Sequence, residues 1–246
     1  MKLKISKLIL IICLVTSSSM IASAPDLGGY KYDGKWSSKT DEFIKLALED
    51  TAIPFRAEYS PLVKKWIKRH TIRGKKTFEK MLGKSAYYFP IFEHYLDTYE
   101  LPKELKFLAM VESGLFPKIE SSAGAVGLWQ FMPGTADFYK LTINEWVDER
   151  KSPYRSSEAA AKMLSDLYNQ FGDWKLVLAA YNCGPGRVSR AIRKSGSNDY
   201  EAIKRRLPKQ TQEYVIKYIA TAFVGTHFEA FGMQPVKQMI EVEKRQ

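Results

Sequence analysis

LPKELKFLAMVESGLFPKIESSAGAVGLWQFMPGT, residues 101–135, is the stretch on which the fold of this chain depends. Pro102 suits the first position of a helix, where its missing N–H costs nothing, and Gly114 suits a helix end. The apolar stripe that includes Leu108 continues at helical spacing to Glu112. Apolar residues cover most of the remaining surface, so we predict a helix that is buried on several sides.

Glu112 is out of place on such a stripe. Burial disfavours the charged form of a carboxyl group and raises its pKa. A carboxyl group that stays partly protonated near neutral pH can act as a general acid. The alternative is a structural glutamate held by hydrogen bonds, because buried ion-pair networks also perturb carboxylates. The helix by itself leaves both interpretations open.

The composition indicates a folded, basic protein. The chain of 246 residues is long enough for one or two domains with a core. Of its residues, 45% are hydrophobic and five are tryptophan, as in a folded globular protein. The formal net charge of +11 favours an anionic partner, without choosing among nucleic acid, membrane and cell wall. Because the basic residues are spread along the predicted helices, nucleic-acid binding is disfavoured.

Residues 1–24 have the pattern of a secretory signal, in which three lysines precede an apolar run and small residues follow it. The run is short for a membrane span. Cleavage after Ala24 would leave Pro25 at the new terminus, so cleavage elsewhere and retention as an anchor both stay open. We expect an exported protein of the periplasm or cell envelope that meets the membrane only through this segment, if it is uncleaved. Without Cys13, which lies in this segment, Cys183 is the one remaining cysteine, and no intramolecular disulfide is then possible.

From Asp41 onward, helical periodicity and capping residues predict an all-α chain without alternating strand patterns. Residues 25–40 are rich in Gly, Ser and Lys and predict a flexible lead-in. The expected helix boundaries are a cap at Ser60, a cap at Thr77 with a stop at Gly83, a helix from Tyr87 to Tyr99, a cap at Ser156 or Ser157 with a stop at Gly172, a cap at Asp173 with a stop at Gly184, and a last helix from Thr211 to about Phe231.

Metal and nucleophile chemistry find no support in the residue spacing. The histidines at 70, 94 and 227 are isolated, with no HxxxH or CxxC pattern. Cys183 has no histidine partner that the sequence identifies, and residues 124–127 lack the Lys-Ser/Thr of a phosphate-binding loop. No metal and no cofactor is therefore expected.

Three further stretches place amides and aromatic rings beside sharp turns. They are Gly127-Leu128-Trp129-Gln130, Ala180-Tyr181-Asn182, and Gln210-Thr211-Gln212-Glu213-Tyr214-Val215. Amides and phenols can hydrogen-bond sugar hydroxyls, and aromatic rings can stack on sugar faces. Each aromatic residue taken singly is more often part of a core. Together with Glu112, the set is typical of a carbohydrate site.

In this order the motifs resemble those of the lysozyme-like lytic transglycosylases, the family of the soluble lytic transglycosylase domain and goose-type lysozyme. Within it, the chain is most similar to the membrane-bound lytic murein transglycosylase D group. The resemblance covers about residues 95–230 and rests on Glu112-Ser113, on Gly127 to Gln130 followed by Met132 to Ala136, on Ala180 to Val188, and on Thr211 to Val215.

The resemblance implies a lysozyme-like helical domain with an N-terminal helical extension. It divides the chain into a signal peptide or anchor at 1–24, a linker and helical extension at 25–94, a transglycosylase domain at 95–232 and a charged tail at 233–246. In this arrangement any affinity for the wall comes from the domain, its basic charge or a partner.

The resemblance also implies that Glu112 is the sole catalytic residue. As an acid it would protonate the oxygen of the β-1,4 bond between N-acetylmuramic acid and N-acetylglucosamine. As a base it would then take the proton of the muramoyl C6 hydroxyl, which leaves a 1,6-anhydromuramoyl end. Most glycosidases use two carboxylates, whereas here the acetamido group of the substrate would stabilise the cationic centre. Glu120 is a candidate neighbour at a position where the family shows no fixed acid.

The implied substrate-binding residues are Ser113, Ser121, Gln130, Met132, Tyr181, Asn182 and Tyr214. Two positions depart from the family pattern. Trp129 stands where methionine is commoner, and Gln210 stands where the fourth motif usually begins with glutamate. If that glutamate supports the groove or the acid electrostatically, the support is weaker in this chain.

Three functions compete at this point. They are a peptidoglycan lytic transglycosylase, a lysozyme-type hydrolase in which water replaces the C6 hydroxyl, and a wall-binding protein with weak catalysis. Peptidoglycan glycan strands are the expected partner in each case, other cell-wall enzymes are further candidates, and nucleic acid is not expected.

Overall fold

The computed structural model describes residues 29–51 and 53–237, so the predicted signal segment and most of the predicted tail lie outside the described residues. The described part is all-α, as predicted, and its β-structure is limited to isolated bridges. Its α-helices are α1 Ser38–Asp50, α2 Pro61–Lys68, α3 Lys75–Thr98, α4 Phe107–Ser113, α5 Pro133–Phe138, α6 Pro153–Phe171, α7 Trp174–Cys183, α8 Pro185–Ser195, α9 Tyr200–Ile203 and α10 Lys209–Thr226.

Short helical turns connect several of these elements. A π-helix at Arg69–Arg73 follows α2, and 3₁₀ turns occupy Lys103–Lys106, Glu149–Lys151, Lys204–Arg206 and Phe228–Phe231. No helix within residues 29–51 and 53–237 is both long enough and apolar enough to cross a membrane.

Several predicted helix boundaries are confirmed by their caps. The Ser60 side chain accepts a hydrogen bond from the Val63 N–H at 3.2 Å, and the Asp173 side chain accepts one from the Leu176 N–H at 2.8 Å. Each bond satisfies an N–H that the first helical turn leaves without a partner. Gly172 ends α6 with a φ of 65°, a conformation that glycine adopts without a side-chain clash.

The boundary predicted at Thr77 and Gly83 is wrong, because α3 runs unbroken through both residues and through Pro90. Gly83 has a packing role instead. A Cβ atom at this position would lie 1.7 Å from the carbonyl oxygen of Val236, where the C-terminal segment crosses the helix. The sequence pattern could not distinguish a glycine that ends a helix from one that admits a second backbone.

The cap predicted at Ser156 or Ser157 is also wrong. The helix begins four residues earlier, with Ser152 as the cap and Pro153 in the first turn. Both predicted capping serines are buried inside α6. At the other end of the chain α10 stops at Thr226, five residues short of the predicted end.

The described part of the predicted flexible lead-in is packed against the helices. The Tyr30 ring stacks on Phe43 of α1 with 4.4 Å between ring centroids. The Tyr32 N–H donates to the carbonyl of Ala230 at 2.8 Å. Aromatic packing therefore orders a segment whose Gly, Ser and Lys content predicted a loop.

The helix predicted in the opening stretch is present, but it begins as a 3₁₀ turn, and α4 proper starts at Phe107. It ends where predicted, at Gly114, whose φ is 59°. Every residue of α4 except Glu112 is buried. The helix packs against α10, which also packs against α2 and α7. This contact between α4 and α10 positions the site.

Candidate active site

The candidate site is built around the last turn of α4, where Glu112 is half-buried. The neighbouring Ser113 hydroxyl donates toward the carbonyl oxygens of Ala109 and Leu128, each at 2.9 Å, and accepts from the Leu115 N–H at 3.1 Å. These bonds fasten the helix end to the loop that follows it. Ser113 thus fixes the position of Glu112, and its own hydroxyl is engaged within the protein.

Glu112 receives a hydrogen bond from α10. The Tyr214 hydroxyl donates to Oε1 of the carboxylate at 2.5 Å, across 102 residues of sequence. Tyr214 is buried, so its hydroxyl is held in place by packing. A hydrogen bond between a phenol and a carboxylate belongs to the stronger class found in proteins. The sequence placed both residues at the site but could not predict that they touch.

Lys217 is a member of the site that the sequence analysis missed. It lies one helical turn after Tyr214, and its ammonium group donates to the carbonyl oxygen of Val111 at 2.8 Å. Its positive charge acts to lower the pKa of Glu112. The signal available in the sequence was the i, i+3 spacing from Tyr214, which places both side chains on one face of a helix.

Burial raises the pKa of Glu112 to about 7, and the Tyr214 hydrogen bond and the Lys217 charge act in the opposite direction without cancelling it. Burial of the Tyr214 and Tyr181 phenols beside this carboxylate raises their pKa values well above the ordinary range. The site therefore holds a carboxyl group that is partly protonated near neutral pH, next to two neutral phenols. That combination can supply general acid catalysis and then general base catalysis.

Tyr181, on α7, connects the site to the loop that carries Gln130. Its hydroxyl donates to the carbonyl oxygen of Trp129 at 2.7 Å. The Trp129 indole N–H in turn donates to the Ser157 hydroxyl at 2.9 Å, and the ring packs edge-on against Phe92. The Trp129 side chain is thus part of the core, and the hydrogen bond from Tyr181 to the Trp129 carbonyl fixes the loop relative to Glu112.

Gln130 has a left-handed backbone with a φ of 51°. Its side-chain amide donates to the carbonyl oxygens of Gly127 at 2.9 Å and of Ile119 at 3.3 Å. At Gly127, where φ is 88°, a Cβ atom would lie 1.9 Å from the carbonyl oxygen of Arg150. The Gly-Leu-Trp-Gln motif is therefore a tight turn in which the glycine admits a neighbouring backbone and the glutamine closes the loop.

The remaining predicted site residues have contacts of their own. The Ser121 hydroxyl accepts from the Ala125 N–H at 3.0 Å and shapes the turn before the motif. The Thr211 hydroxyl donates to the Asn182 side chain at 2.9 Å, which joins α10 to the end of α7. Met132 is exposed, with 42% of its surface accessible. Glu120, the candidate second acid, is exposed and pairs through its backbone with Val126.

The charged groups that act on Glu112 include no second carboxylate among the described residues. Within the same ranges no group of three or more His, Cys, Asp or Glu side chains could hold a metal ion.

Several known proteins contain a region that is similar to this one. Residues 90–204 match the family model described as the Transglycosylase SLT domain. Membrane-bound lytic murein transglycosylase D of Escherichia coli strain K12 is 36% identical over 139 residues, which are 54% of this chain and 30% of that protein. The soluble lytic murein transglycosylase of the same strain is 32% identical over 141 residues, which are 54% of this chain and 22% of that protein.

Among solved structures, the 70 kDa soluble lytic transglycosylase of Escherichia coli is similar, with a TM-score of 0.53 and 26% identity over 82% of this chain and 33% of that one. The matched region spans less than a third of the length of each of these two curated relatives. The family match ends before α10, so Tyr214 and Lys217 lie outside it. The chain thus carries a match to the Transglycosylase SLT domain over residues 90–204 and is homologous at moderate identity to membrane-bound lytic murein transglycosylase D and to the soluble lytic murein transglycosylases.

Proposed function

We propose that this protein is a peptidoglycan lytic transglycosylase. It cleaves the β-1,4 bond between N-acetylmuramic acid and N-acetylglucosamine and leaves 1,6-anhydromuramoyl ends. The observation that carries the proposal is the half-buried Glu112 carboxyl group, which lies within the region that matches the Transglycosylase SLT domain, has a pKa of about 7 and accepts a hydrogen bond from Tyr214. The names of the homologous proteins support the same substrate class.

In the first step, the protonated Glu112 carboxyl group donates its proton to the oxygen that joins the two sugars. The bond between C1 of the muramoyl residue and that oxygen breaks, and the oxygen leaves as a hydroxyl group. Positive charge develops at C1, where the acetamido group of the substrate stabilises it. Partial protonation of Glu112 near pH 7 supports this step, because a general acid works best with a pKa near the working pH.

In the second step, the Glu112 carboxylate takes the proton of the muramoyl C6 hydroxyl. The C6 oxygen bonds to C1 and closes the 1,6-anhydro ring. The enzyme returns to its protonated state, so no water is consumed and no second carboxylate is required.

Tyr214 and Lys217 act on Glu112 by positioning and by charge. The Tyr214 hydroxyl orients the Glu112 carboxylate, because the buried Tyr214 ring holds this hydrogen-bond donor in place. The Lys217 ammonium, held on the carbonyl oxygen of Val111, limits how far burial raises the pKa of Glu112. Together they keep the carboxyl group able to lose its proton as well as to donate it.

We assign the glycan groove to the elements around Glu112. Gln130, Met132, Tyr181 and Asn182 are proposed to line it, and Ser121 is proposed to contact the strand near the acid. Ser113 serves the groove indirectly, because its hydroxyl is occupied by backbone groups.

We place the protein in the cell envelope, after export directed by residues 1–24. The charge pattern of that segment and the cell-wall substrate named for the homologous proteins support this location. Glycan strands are its proposed partner, with other cell-wall enzymes as secondary candidates.

Digestion of purified peptidoglycan followed by mass spectrometry tests the proposal. We expect products with 1,6-anhydromuramoyl ends from the parent protein. Products with reducing ends alone would identify a lysozyme-type hydrolase and overturn the transglycosylase assignment. Binding of glycan without any product would identify a wall-binding protein instead.

A further inference from the structure

A second feature near the site is a cleft of about 570 Å³ between α8 and the segment that leads into α10. Its walls carry five cationic side chains, and Ala191, Leu207 and Pro208 complete its lining. The five cations are Arg187, Arg190, Lys194, Arg205 and Arg206. We refer to it as the arginine cleft.

The cations of the arginine cleft are exposed, and none of them belongs to an ion pair in the described structure. A second basic surface, along α2, differs in this respect. There Lys64 is paired with Asp41, while the Lys68 ammonium and the Arg69 guanidinium of the following π-helix have no ion pair among the described residues but lie over tryptophan rings. Like charges gathered without counterions create a field that favours an anionic ligand.

The arginine cleft is built on α8, which directly follows α7, and on the segment that leads into α10, and both α7 and α10 carry residues of the candidate active site. The Arg187 charge acts on the Cys183 thiol, which is adjacent in the chain to Asn182. Asn182 is hydrogen-bonded to Thr211 on α10, three residues before Tyr214. A polymer that lies along the proposed groove would therefore pass close to the cleft.

We propose that the arginine cleft binds the carboxylates of the peptide stems attached to the glycan strand, an inference that rests on the proposed function. The hydroxyl and acetamido groups of the strand are uncharged, so its negative charge resides on the stems. Guanidinium groups form paired hydrogen bonds with carboxylates in a planar geometry. The cleft thus holds the strand by its stems while Glu112 acts on the sugar backbone.

The test compares soluble murein strands with free stem carboxylates against the same strands after conversion of those carboxylates to amides. We expect the parent protein to cleave the free-acid strands with a kcat/KM about tenfold higher at low salt, since several exposed charge pairs combine. The variant R187Q/R190Q/R205Q is expected to lose this preference and to cleave amidated strands at the parent rate. Added salt should reduce the preference, because exposed charges are screened.

A matched control removes three positive charges elsewhere. Lys31, Lys39 and Lys45 are exposed near the start of the described chain, and the variant K31Q/K39Q/K45Q should keep the preference of the parent. Thermal unfolding of both triple variants checks that they are folded. Equal loss of kcat/KM on both kinds of strand, or no loss on either, would overturn the inference while leaving the transglycosylase assignment intact.

A binding experiment separates failure of this inference from failure of the proposed function. A soluble stem tripeptide with free carboxylates is titrated into the parent protein and into R187Q/R190Q/R205Q, with the amidated tripeptide as a second probe. Binding of the free acid by the parent alone supports the cleft even if no strand is cleaved. Equal binding of both probes, or of neither, overturns it.

Discussion

Asp41 and Glu112 are two half-buried carboxylates, and each accepts a hydrogen bond from a tyrosine. Asp41 also accepts from the Trp36 indole at 2.7 Å and from the Lys64 ammonium at 2.7 Å. Burial alone would raise the pKa of Asp41, but these donors outweigh it and lower the pKa to about 2. Burial prevails at Glu112, whose pKa is about 7.

The difference between the two sites is the placement of their donors. Lys64 contacts the Asp41 carboxylate directly, whereas the Lys217 ammonium is held on the carbonyl oxygen of Val111 and reaches Glu112 only through its field. Direct donors stabilise the charged form and make a structural ion pair, while burial with one donor leaves a carboxyl group that can exchange its proton. Four variants test this difference between the two carboxylates.

Glu112→Gln should have the largest effect. We expect transglycosylase activity to fall by roughly three orders of magnitude, the range for loss of a general acid–base group. The folding free energy at pH 8 should be unchanged or more favourable, because the raised pKa means that the ionised Glu112 carboxylate opposes folding above pH 7. Mass spectrometry of the released products measures the activity, and urea unfolding measures the folding free energy.

Glu120→Gln is the matched control for that variant. Glu120 is exposed and lies in the loop that follows α4, so the Glu120→Gln variant should have the same activity as the parent protein. A Glu112→Gln protein that releases anhydromuropeptides at the parent rate would disprove the assignment of the acid.

Tyr214→Phe should have the next largest effect. Its hydroxyl is a donor to a charged group, so we expect kcat/KM to fall by roughly 10- to 100-fold. Loss of a donor that lowers the pKa of Glu112 should also move the alkaline limb of the pH–rate profile above its parent position near pH 7. Tyr218 lies on the same helix as Tyr214, and its hydroxyl donates to the backbone carbonyl of Glu104 in the 3₁₀ turn before α4, so Tyr218→Phe should leave that limb in place. An identical profile for both variants would contradict the role of Tyr214.

Asp41→Asn should reduce stability and spare activity at 25 °C. We expect a loss of about 1–2 kcal/mol at pH 7, because hydrogen bonds to a charged group contribute roughly 1.5–3 kcal/mol when well formed and this carboxylate is partly exposed. The lowered pKa stabilises the fold above the ordinary value of 3.8, and this contribution disappears as the pH falls toward 2.

Urea unfolding at several pH values measures the difference between the parent and Asp41→Asn. The difference should shrink between pH 4 and pH 2 and stay constant between pH 5 and pH 7. A gap that persists at pH 2 would show that the Asp41 charge is not its source.

Lys217→Met should have the smallest effect, a shift of the pH profile. Removal of the nearby positive charge raises the pKa of Glu112, so the alkaline limb should move upward by roughly one pH unit. Lys217→Arg keeps the charge and should stay close to the parent. Thermal unfolding of both variants measures the effect on stability of changing the hydrogen bond to Val111. If the alkaline limbs of the parent, Lys217→Met and Lys217→Arg coincide, the Lys217 charge does not act on the pKa of Glu112.

The sequence could predict elements whose signals are local. Ser60 and Asp173 mark helix starts, and Gly114 and Gly172 mark helix ends, because capping depends on neighbours within four residues. The failures share a different cause. Gly83 lies inside a helix because a distant backbone crosses it, and residues around Tyr32 are ordered by contacts with the other end of the chain.

The amino-acid sequence was sufficient to predict that the chain is helical and that Glu112 lies at the end of an apolar helix, because periodicity and capping are properties of neighbouring residues. It also supplied the motifs that carry the family resemblance. The three-dimensional contacts were needed to show that the Tyr214 hydroxyl reaches the Glu112 carboxylate, that the Lys217 ammonium is held on the carbonyl oxygen of the preceding residue, Val111, and that five cations line one cleft. Those contacts join residues far apart in the chain, and the packing of α10 against α4 sets the distance and the burial on which the pKa of Glu112 depends.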